Sequence, residues 1–343
     1  MIRFDSDYIE GCHPKILEAL AKTNMEQTPG YGKDKHCAHA RELIREACNA
    51  PDADIHFLVG GTQTNTTVIA AILRPWEGVI AADTGHINCH ETGAIESTGH
   101  KVLPLPHANG KLTAEQIEKC VYALRHDGNY EHIVQPGMVY ISQPTEYGTM
   151  YSKTELQAIS EVCRAAGLPL FLDGARLGYG LAADGTLSLP DYAELCDVFY
   201  IGGTKVGFLF GEAVVITNDA LKKDFRNMIK QRGGMLAKGR LLGIQYEVMF
   251  ENGLYLEVSR NAVAQARKIR AALLEMGIPL AYDSPTNQLF PILTRAQYAE
   301  LGKTFELGAW DISGGEADIF RICTSWATTE ANADALIAAI RTL

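Results

Sequence analysis

Several features are missing from this 343-residue sequence. No apolar run approaches the roughly 18–20 residues that would cross a bilayer. The opening Met1-Ile-Arg-Phe-Asp-Ser-Asp7 is charged from its third residue and has no apolar secretion core, so a cytoplasmic location is expected. No CxxC pair occurs among the cysteines at 12, 37, 48, 89, 120, 163, 196 and 323. Thiols scattered in this way are expected to be free and mostly buried in a reducing compartment. Basic runs are absent as well. The balance of 41 acidic against 31 basic residues leaves a formal charge of -10, which argues against nucleic acid or an anionic membrane as partner. There is no P-loop string, no HExxH, no internal repeat and no low-complexity tract, and no metal site is read from the chain. Gly178-Tyr-Gly180-Leu-Ala-Ala183 fits a GxGxxA string. The stretch after it, Ala183 to Pro190, reads as a loop rather than the helix that a dinucleotide fingerprint requires.

What is present is an ordinary globular composition. With 47% hydrophobic and 21% charged residues, the chain can bury a sizeable core, and collagen-like, coiled-coil and disordered classes are excluded. The length suggests one large domain and one smaller one. Short β-branched runs alternate with helical stretches. Strands are predicted at 56–59, 79–82, 138–142, 168–172, 198–201 and 213–216, with 102–105 as an edge strand. Helices are predicted over 66–73, over 113–124 with Thr113 and Gln116 as a capping box, and over 152–166 with Gly167 as the stop. This alternation indicates an α/β domain with a largely parallel sheet, and the continuous apolar strands imply that both sheet faces are covered. The texture changes after a long helix near 254–276. Strands at 288–293, 304–310 and 319–323 and a helix over 329–340 suggest a small α+β domain. The boundary is set between 250 and 251.

Two residues draw attention to chemistry. Asp173 ends a buried strand, where open α/β sheets place ligands. An ionised carboxylate there needs a cationic partner; Arg176, three positions on, is one option and a protonated heterocycle is another. Lys205 sits in the glycine-rich turn Gly202-Gly-Thr-Lys205-Val-Gly between two apolar strands. Desolvation there would lower its pKa and free the amine for Schiff-base chemistry, although a turn lysine is often simply exposed. A strand-end acid followed by a turn lysine is the combination that pyridoxal phosphate enzymes need. Gly60-Gly-Thr-Gln-Thr-Asn65, between a strand and a helix, offers an anion cradle, though such a turn also merely caps a helix.

In order along nearly the whole chain, further segments join these. They are Phe4-Asp-Ser6-Asp7, Gly30-Tyr-Gly-Lys-Asp34, Val59-Gly-Gly61-Thr62, Asp83-Thr-Gly-His86-Ile-Asn-Cys-His-Glu91, Leu172-Asp173-Gly-Ala-Arg176, the Lys205 turn and Phe320-Arg321-Ile-Cys-Thr. Together they resemble the low-specificity threonine aldolases, a branch of the β-eliminating lyases among fold-type-I pyridoxal phosphate enzymes. The resemblance implies a large domain with a mostly parallel seven-stranded sheet and a small C-terminal α+β domain. It implies cleavage of L-threonine or L-allo-threonine to glycine and an aldehyde by retro-aldol chemistry. Lys205 would carry pyridoxal 5'-phosphate, Asp173 would pair with its ring nitrogen, and His86 would stack on the ring. Gly61 and Thr62, with Gln63 adjacent, would bind the phosphate. Arg176, also beside the cofactor, would join Ser6 and Arg321 in fixing the substrate carboxylate, a task suited to arginine's planar fork.

His86 and His132 are the expected bases in proton transfer. Glu91 would orient His86 or a water, or else is a surface carboxylate. His90 stands where the family often has Tyr. The basic segment Lys230 to Arg240 either reaches a neighbouring subunit's phosphate or is a solvated face. The family likeness also implies a homodimer or homotetramer with the site at the subunit interface. Other readings remain: a different lyase, an aminotransferase or a racemase on the same cofactor, or a non-catalytic binder of pyridoxal phosphate or amino acids.

Overall fold

The computed structural model describes residues 1–343. Its centre is a seven-stranded sheet in the order Asp54–Leu58, Glu212–Ile216, Val198–Gly202, Leu170–Asp173, Gln135–Ser142, Glu77–Ala82, Lys101–Leu105. Six strands run parallel and Glu212–Ile216 runs against both neighbours. Lys101–Leu105 lies at the edge, where Pro104 removes one ladder donor.

The period-two side-chain alternation divides the buried residues between two cores. Ile55, Phe57, Val139, Ile141, Leu172, Phe199 and Val215 point to one face. Leu58, Met138, Tyr140, Phe171, Tyr200 and Val214 point to the other. Both faces are therefore dry, as the continuous apolar runs require. Flanking helices begin and end as local chemistry dictates. Thr113 with Gln116 and Ser152 with Glu155 form capping boxes. Gly167 stops Lys153–Ala166 in the left-handed region at φ 65°.

The C-terminal layer has its own core, in which Leu289, Leu293, Phe305, Phe320 and Ile322 pack with Phe4 from the other end of the chain. Two expected strands are interrupted. Residues 288–293 split into Gln288–Leu289 and Ile292–Thr294, because Pro291 has no N–H to donate. Residues 304–310 split into Phe305–Glu306, which pairs with Ile2–Arg3, and Gly308–Asp311, which pairs with Ala317–Cys323. The N-terminal residues thus pack into the C-terminal layer. The expected boundary at 250/251 falls just before the helix Leu254–Glu275, which serves both cores. Val258 and Ala262 face the first, and Ile269 and Leu273 face the third.

The GxGxxA string is itself helical, within Leu177–Ala183, rather than a turn before a helix. Its glycines serve packing. A Cβ at Gly178 would come 2.6 Å from Ser259 Oγ and 2.9 Å from Tyr255 Cζ, while Gly180 faces Pro144. Tyr255 accepts from Gly178 N–H at 3.1 Å and donates to Gly202 O at 2.8 Å, tying this helix to the turn that carries Lys205. Gly178→Ala is expected to cost roughly 1–3 kcal/mol of stability by overpacking. Urea unfolding of the variant beside the wild type measures it, and equal midpoints would show that the helix shifts freely.

Candidate functional site

Every turn that leaves the C-terminal end of a parallel strand opens on the same edge of the sheet. Leu58 leads to Gly60, Gly61 and Thr62; Ala82 leads to His86; Ser142 leads to Glu146; Gly202 leads to Lys205; and Asp173 ends its own strand. The antiparallel strand begins at this edge, with Glu212. These residues line a cavity of about 320 Å³ together with Tyr8, Ala175, Arg176 and Tyr200. A second cavity of about 420 Å³ shares Tyr8, His86, Glu146, Arg176 and Lys205, and adds His90, Gln288, Trp310 and Arg321. The two are the inner and outer halves of one cleft, at the position open α/β sheets reserve for ligands.

Asp173 is buried, yet no cation is hydrogen-bonded to it. It accepts from Tyr200 Oη at 2.5 Å, Tyr140 Oη at 2.6 Å, Ala175 N–H at 3.0 Å and Asn65 Nδ2 at 3.1 Å. Burial pushes its pKa up. The charge of His86 and the bonds from Tyr140, Tyr200 and Ala175 outweigh that and hold it below the usual carboxylate value. Gly61 makes the arrangement possible, since a Cβ there would approach Tyr200 Oη to 3.2 Å.

Asn65 Nδ2 also donates to Glu91 Oε1 at 2.8 Å, and His86 Nδ1 lies 2.7 Å from the same oxygen. The Glu91 side chain is fully buried, so the reading of it as a surface carboxylate does not hold. The His86 backbone N–H donates to Glu146 Oε1 at 2.9 Å, where Ser142 Oγ also donates at 2.7 Å. His90 stands 5.7 Å from His86 and 6.2 Å from Trp310, ring centre to ring centre. Burial, then the charges of His86, Arg321 and Lys205, lower its pKa.

Lys205 makes no side-chain hydrogen bond, and its Nζ lies 5.9 Å from the Tyr8 ring centre. Burial first, and then the Arg176 charge, hold its pKa below the ordinary lysine value against Asp7, Asp173 and Glu212. Glu212 grips the lysine turn, accepting from Thr204 Oγ1 at 2.8 Å and Gly203 N–H at 3.2 Å. Burial raises its pKa, against the bonds from Thr204 and Gly203 and the charge of Lys205.

Arg176 does not partner Asp173. Its fork closes on Asp7, with Nε to Oδ2 at 2.6 Å and Nη2 to Oδ1 at 2.9 Å, which leaves Nη1. Asn287 adds a third bond to Asp7 at 2.9 Å. Arg321 donates through Nη2 to Asp5 O at 2.9 Å and packs over Trp310. Ser6, between these two anchors, has a buried hydroxyl without a partner, as does Arg321 Nε.

Two of the expected residues, His132 and Gln63, do not line this chain's own cleft. His132 is exposed and precedes Gln135–Ser142, so it lies at the opposite end of that strand from the cleft. Eight residues at about 3.3 Å each separate the two ends, and the chain's own His132 cannot act in its own cavity. Gln63 turns its side chain away from the cleft, accepting from Val59 N–H and donating to Arg232 O. Sequence reasoning missed Tyr140, Tyr200, Asn65 and Glu212, and it left Asp7 and Glu146 without roles. Only the position of Asp7 within the opening motif, and of Glu146 just past a buried strand, hinted at them.

The site fits pyridoxal phosphate. A cation-free buried carboxylate suits a protonated ring nitrogen, and the unbonded Lys205 amine suits an aldehyde. The helix Gly61–Ile72, whose N-cap Gly60 supplies no side-chain bond, suits a phosphate. Residues 4–295 match the family described as beta-eliminating lyase. The chain belongs to that family. Its cofactor is pyridoxal 5'-phosphate and it is a lyase. Among its relatives is the low specificity L-threonine aldolase of Pseudomonas sp. (strain NCIMB 10558), 31% identical over 99% of this chain and 97% of the relative. The Pseudomonas aeruginosa enzyme of the same name is 32% identical over 84% and 83% of the two chains. The solved threonine aldolase of Leishmania major is 48% identical, with a TM-score of 0.97 over 100% of this chain and 99% of that one. These relatives place the chain in the threonine aldolase branch of that family.

Asp7 gives the site a measurable signature. Burial would raise its pKa, but the Arg176 charge and hydrogen bonds bring it down to about 2. A depressed carboxylate stabilises the fold above its ordinary pKa, 3.8, and that contribution is lost as pH falls from about 4 through 2. Asp7→Asn leaves Arg176 buried and uncompensated, and about 3–5 kcal/mol of stability should be lost at pH 7. Urea unfolding from pH 7 to 2 should show the gap between variant and wild type closing toward the acid end. A gap independent of pH would rule out the charge pair as its source.

Proposed function

We propose that the chain cleaves β-hydroxy-α-amino acids, L-threonine and L-allo-threonine among them, to glycine and an aldehyde. The observation that carries this is the pairing of cation-free Asp173 with the unbonded Lys205 amine in a cleft whose outer half ends in Arg321. The threonine aldolase names of the full-length relatives support the choice of substrate.

Bound pyridoxal phosphate supplies an electron sink for the pair released at the substrate Cα. Lys205 holds the cofactor covalently, and its lowered pKa makes the amine available. Asp173 keeps the ring nitrogen protonated. Gly61 and Thr62 bind the phosphate at the helix N-terminus. Ser6 Oγ and Arg321 Nε are buried donors without acceptors, which suits a substrate carboxylate. Arg176 contributes through Nη1, with Asp7 fixing its plane. Holding the carboxylate would fix the orientation of the bonds at the substrate Cα, and such orientation lowers a barrier by up to roughly 7–11 kcal/mol. Glu91 holds His86 through Nδ1, which leaves Nε2 for the ring or the substrate.

Residues 1–250 are read as the cofactor-binding domain and 251–343 as a smaller domain that brings Arg321. A homodimer or homotetramer is inferred, with a neighbouring subunit completing the cleft. A cytoplasmic location is inferred from eight free cysteines. No helix is long and apolar enough to cross a membrane.

A panel of threonine, allo-threonine, serine and β-chloroalanine, with aldehyde, pyruvate and keto acid assayed separately, tests the reaction. Aldehyde with equimolar glycine is expected. Pyruvate from serine or β-chloroalanine and 2-oxobutyrate from threonine would mark β-elimination, whereas a keto acid that keeps the β-hydroxyl would mark transamination. Lys205→Ala should abolish turnover, and full retained cleavage would reject its role. Arg321→Leu should mainly raise KM for threonine, and an unchanged KM would reject the carboxylate assignment.

A further inference from the structure

Retro-aldol cleavage requires a group that takes the proton of the substrate β-hydroxyl. Five side chains border both halves of the cleft: Tyr8, His86, Glu146, Arg176 and Lys205. Arg176 is held cationic by Asp7, Lys205 is the attachment point of the cofactor, and Tyr8 is exposed at the mouth. His86 has committed Nδ1 to Glu91 and keeps only Nε2 free, so His86 and Glu146 are the two groups left that can take a proton.

Glu146 is arranged differently. Both of its hydrogen bonds, from Ser142 Oγ at 2.7 Å and His86 N–H at 2.9 Å, fall on Oε1. Two donors on one oxygen fix the plane of the carboxyl and leave Oε2 without a protein partner, in a residue that borders both halves of the cleft. The inner half holds the cofactor groups and the outer half ends in Arg321, so an amino acid held between them has its Cα in the part of the cleft that Glu146 borders. We propose that Glu146 is the base that accepts the β-hydroxyl proton during cleavage. This role rests on the aldolase reading above.

The proton balance closes within the site. Oε2 takes the hydroxyl proton as the O–H pair becomes the carbonyl π bond of the aldehyde. The Cα–Cβ pair stays with Cα, and one proton returned to Cα completes glycine. No oxidant or reductant is needed. Glu146 is faced by His86 and Cys89 from the short helix after Ala82, by Tyr140 and Asp173 from the sheet, by Tyr151 beyond it, and by Lys205 and Arg176 across the cleft. Burial raises its pKa, and Asp173 adds to the rise, against the bond from Ser142 and the charge of His86. The carboxylate form needed for the base therefore grows as pH rises through that raised value, which places an acid limb on the cleavage profile.

Glu146→Gln keeps an oxygen for Ser142 and His86 but removes the base. Two reactions of the holoenzyme separate its roles: threonine cleavage, and exchange of the glycine α-proton in D2O followed by NMR, which involves no hydroxyl. Cleavage is expected to fall roughly 10²–10⁴-fold with loss of the acid limb, while glycine exchange stays within about threefold of wild type. Cleavage within threefold of wild type would overturn the proposal, as would exchange that falls in parallel with cleavage. Wild-type enzyme that exchanges the glycine proton yet leaves threonine and allo-threonine intact would instead overturn the aldolase reading.

Discussion

A carboxylate buried at the end of a strand without a cation of its own is the constraint around which this cleft is built. Leaving Asp173 ionised in a dry setting is costly unless neighbouring dipoles replace the lost water. Tyr140 and Tyr200 reach it from the flanking strands, Asn65 from the helix after the first strand, and the Ala175 N–H from its own turn. The nearby charge of His86 and these donors keep Asp173 ionised, but no cation is hydrogen-bonded to it to neutralise the charge. The residual negative potential is what a protonated pyridine ring would meet.

From that carboxylate a continuous hydrogen-bond path leads outward. Asn65 joins Asp173 to Glu91, Glu91 holds the ring of His86, and the His86 backbone donates to Glu146, which Ser142 also holds. In a low-dielectric cleft such a chain fixes side-chain planes as well as charges. Each member contributes orientation to the next, so the imidazole and the outer carboxyl are set before any ligand arrives. On the opposite side Glu212 clamps the turn of Lys205 through Thr204 and Gly203, and Tyr255 ties that turn to the long helix.

The N-terminal segment supplies the second organising element. Residues 5 to 7 pass between the two arginines of the cleft: Asp5 O takes Arg321 and the Asp7 side chain takes Arg176. Since Ile2–Arg3 is paired with Phe305–Glu306, this segment is registered on the C-terminal layer before it reaches the main sheet. The relative position of the two arginines is thereby set by backbone pairing rather than by long flexible side chains alone.

The amino-acid sequence by itself determined what is local. Alternating apolar strands and capped helices specify an α/β fold, because side-chain period and turn chemistry act over a few residues. Short motifs likewise marked Asp173, Lys205, Gly61 and His86, since each sits beside the strand end that displays it, and Arg321, which lies within a strand of the C-terminal layer. Only the tertiary structure decided the contacts between residues far apart in the chain. Asp7 meets Arg176 across 169 positions and Asn65 meets Asp173 across 108, and no spacing rule encodes such pairs. The distance of His132 from its own chain's cleft belongs here too, because a residue type carries no record of which end of a strand it will occupy. Local geometry follows from the backbone's own torsions, whereas which groups share a buried cleft depends on how the sheet brings its turns to one edge.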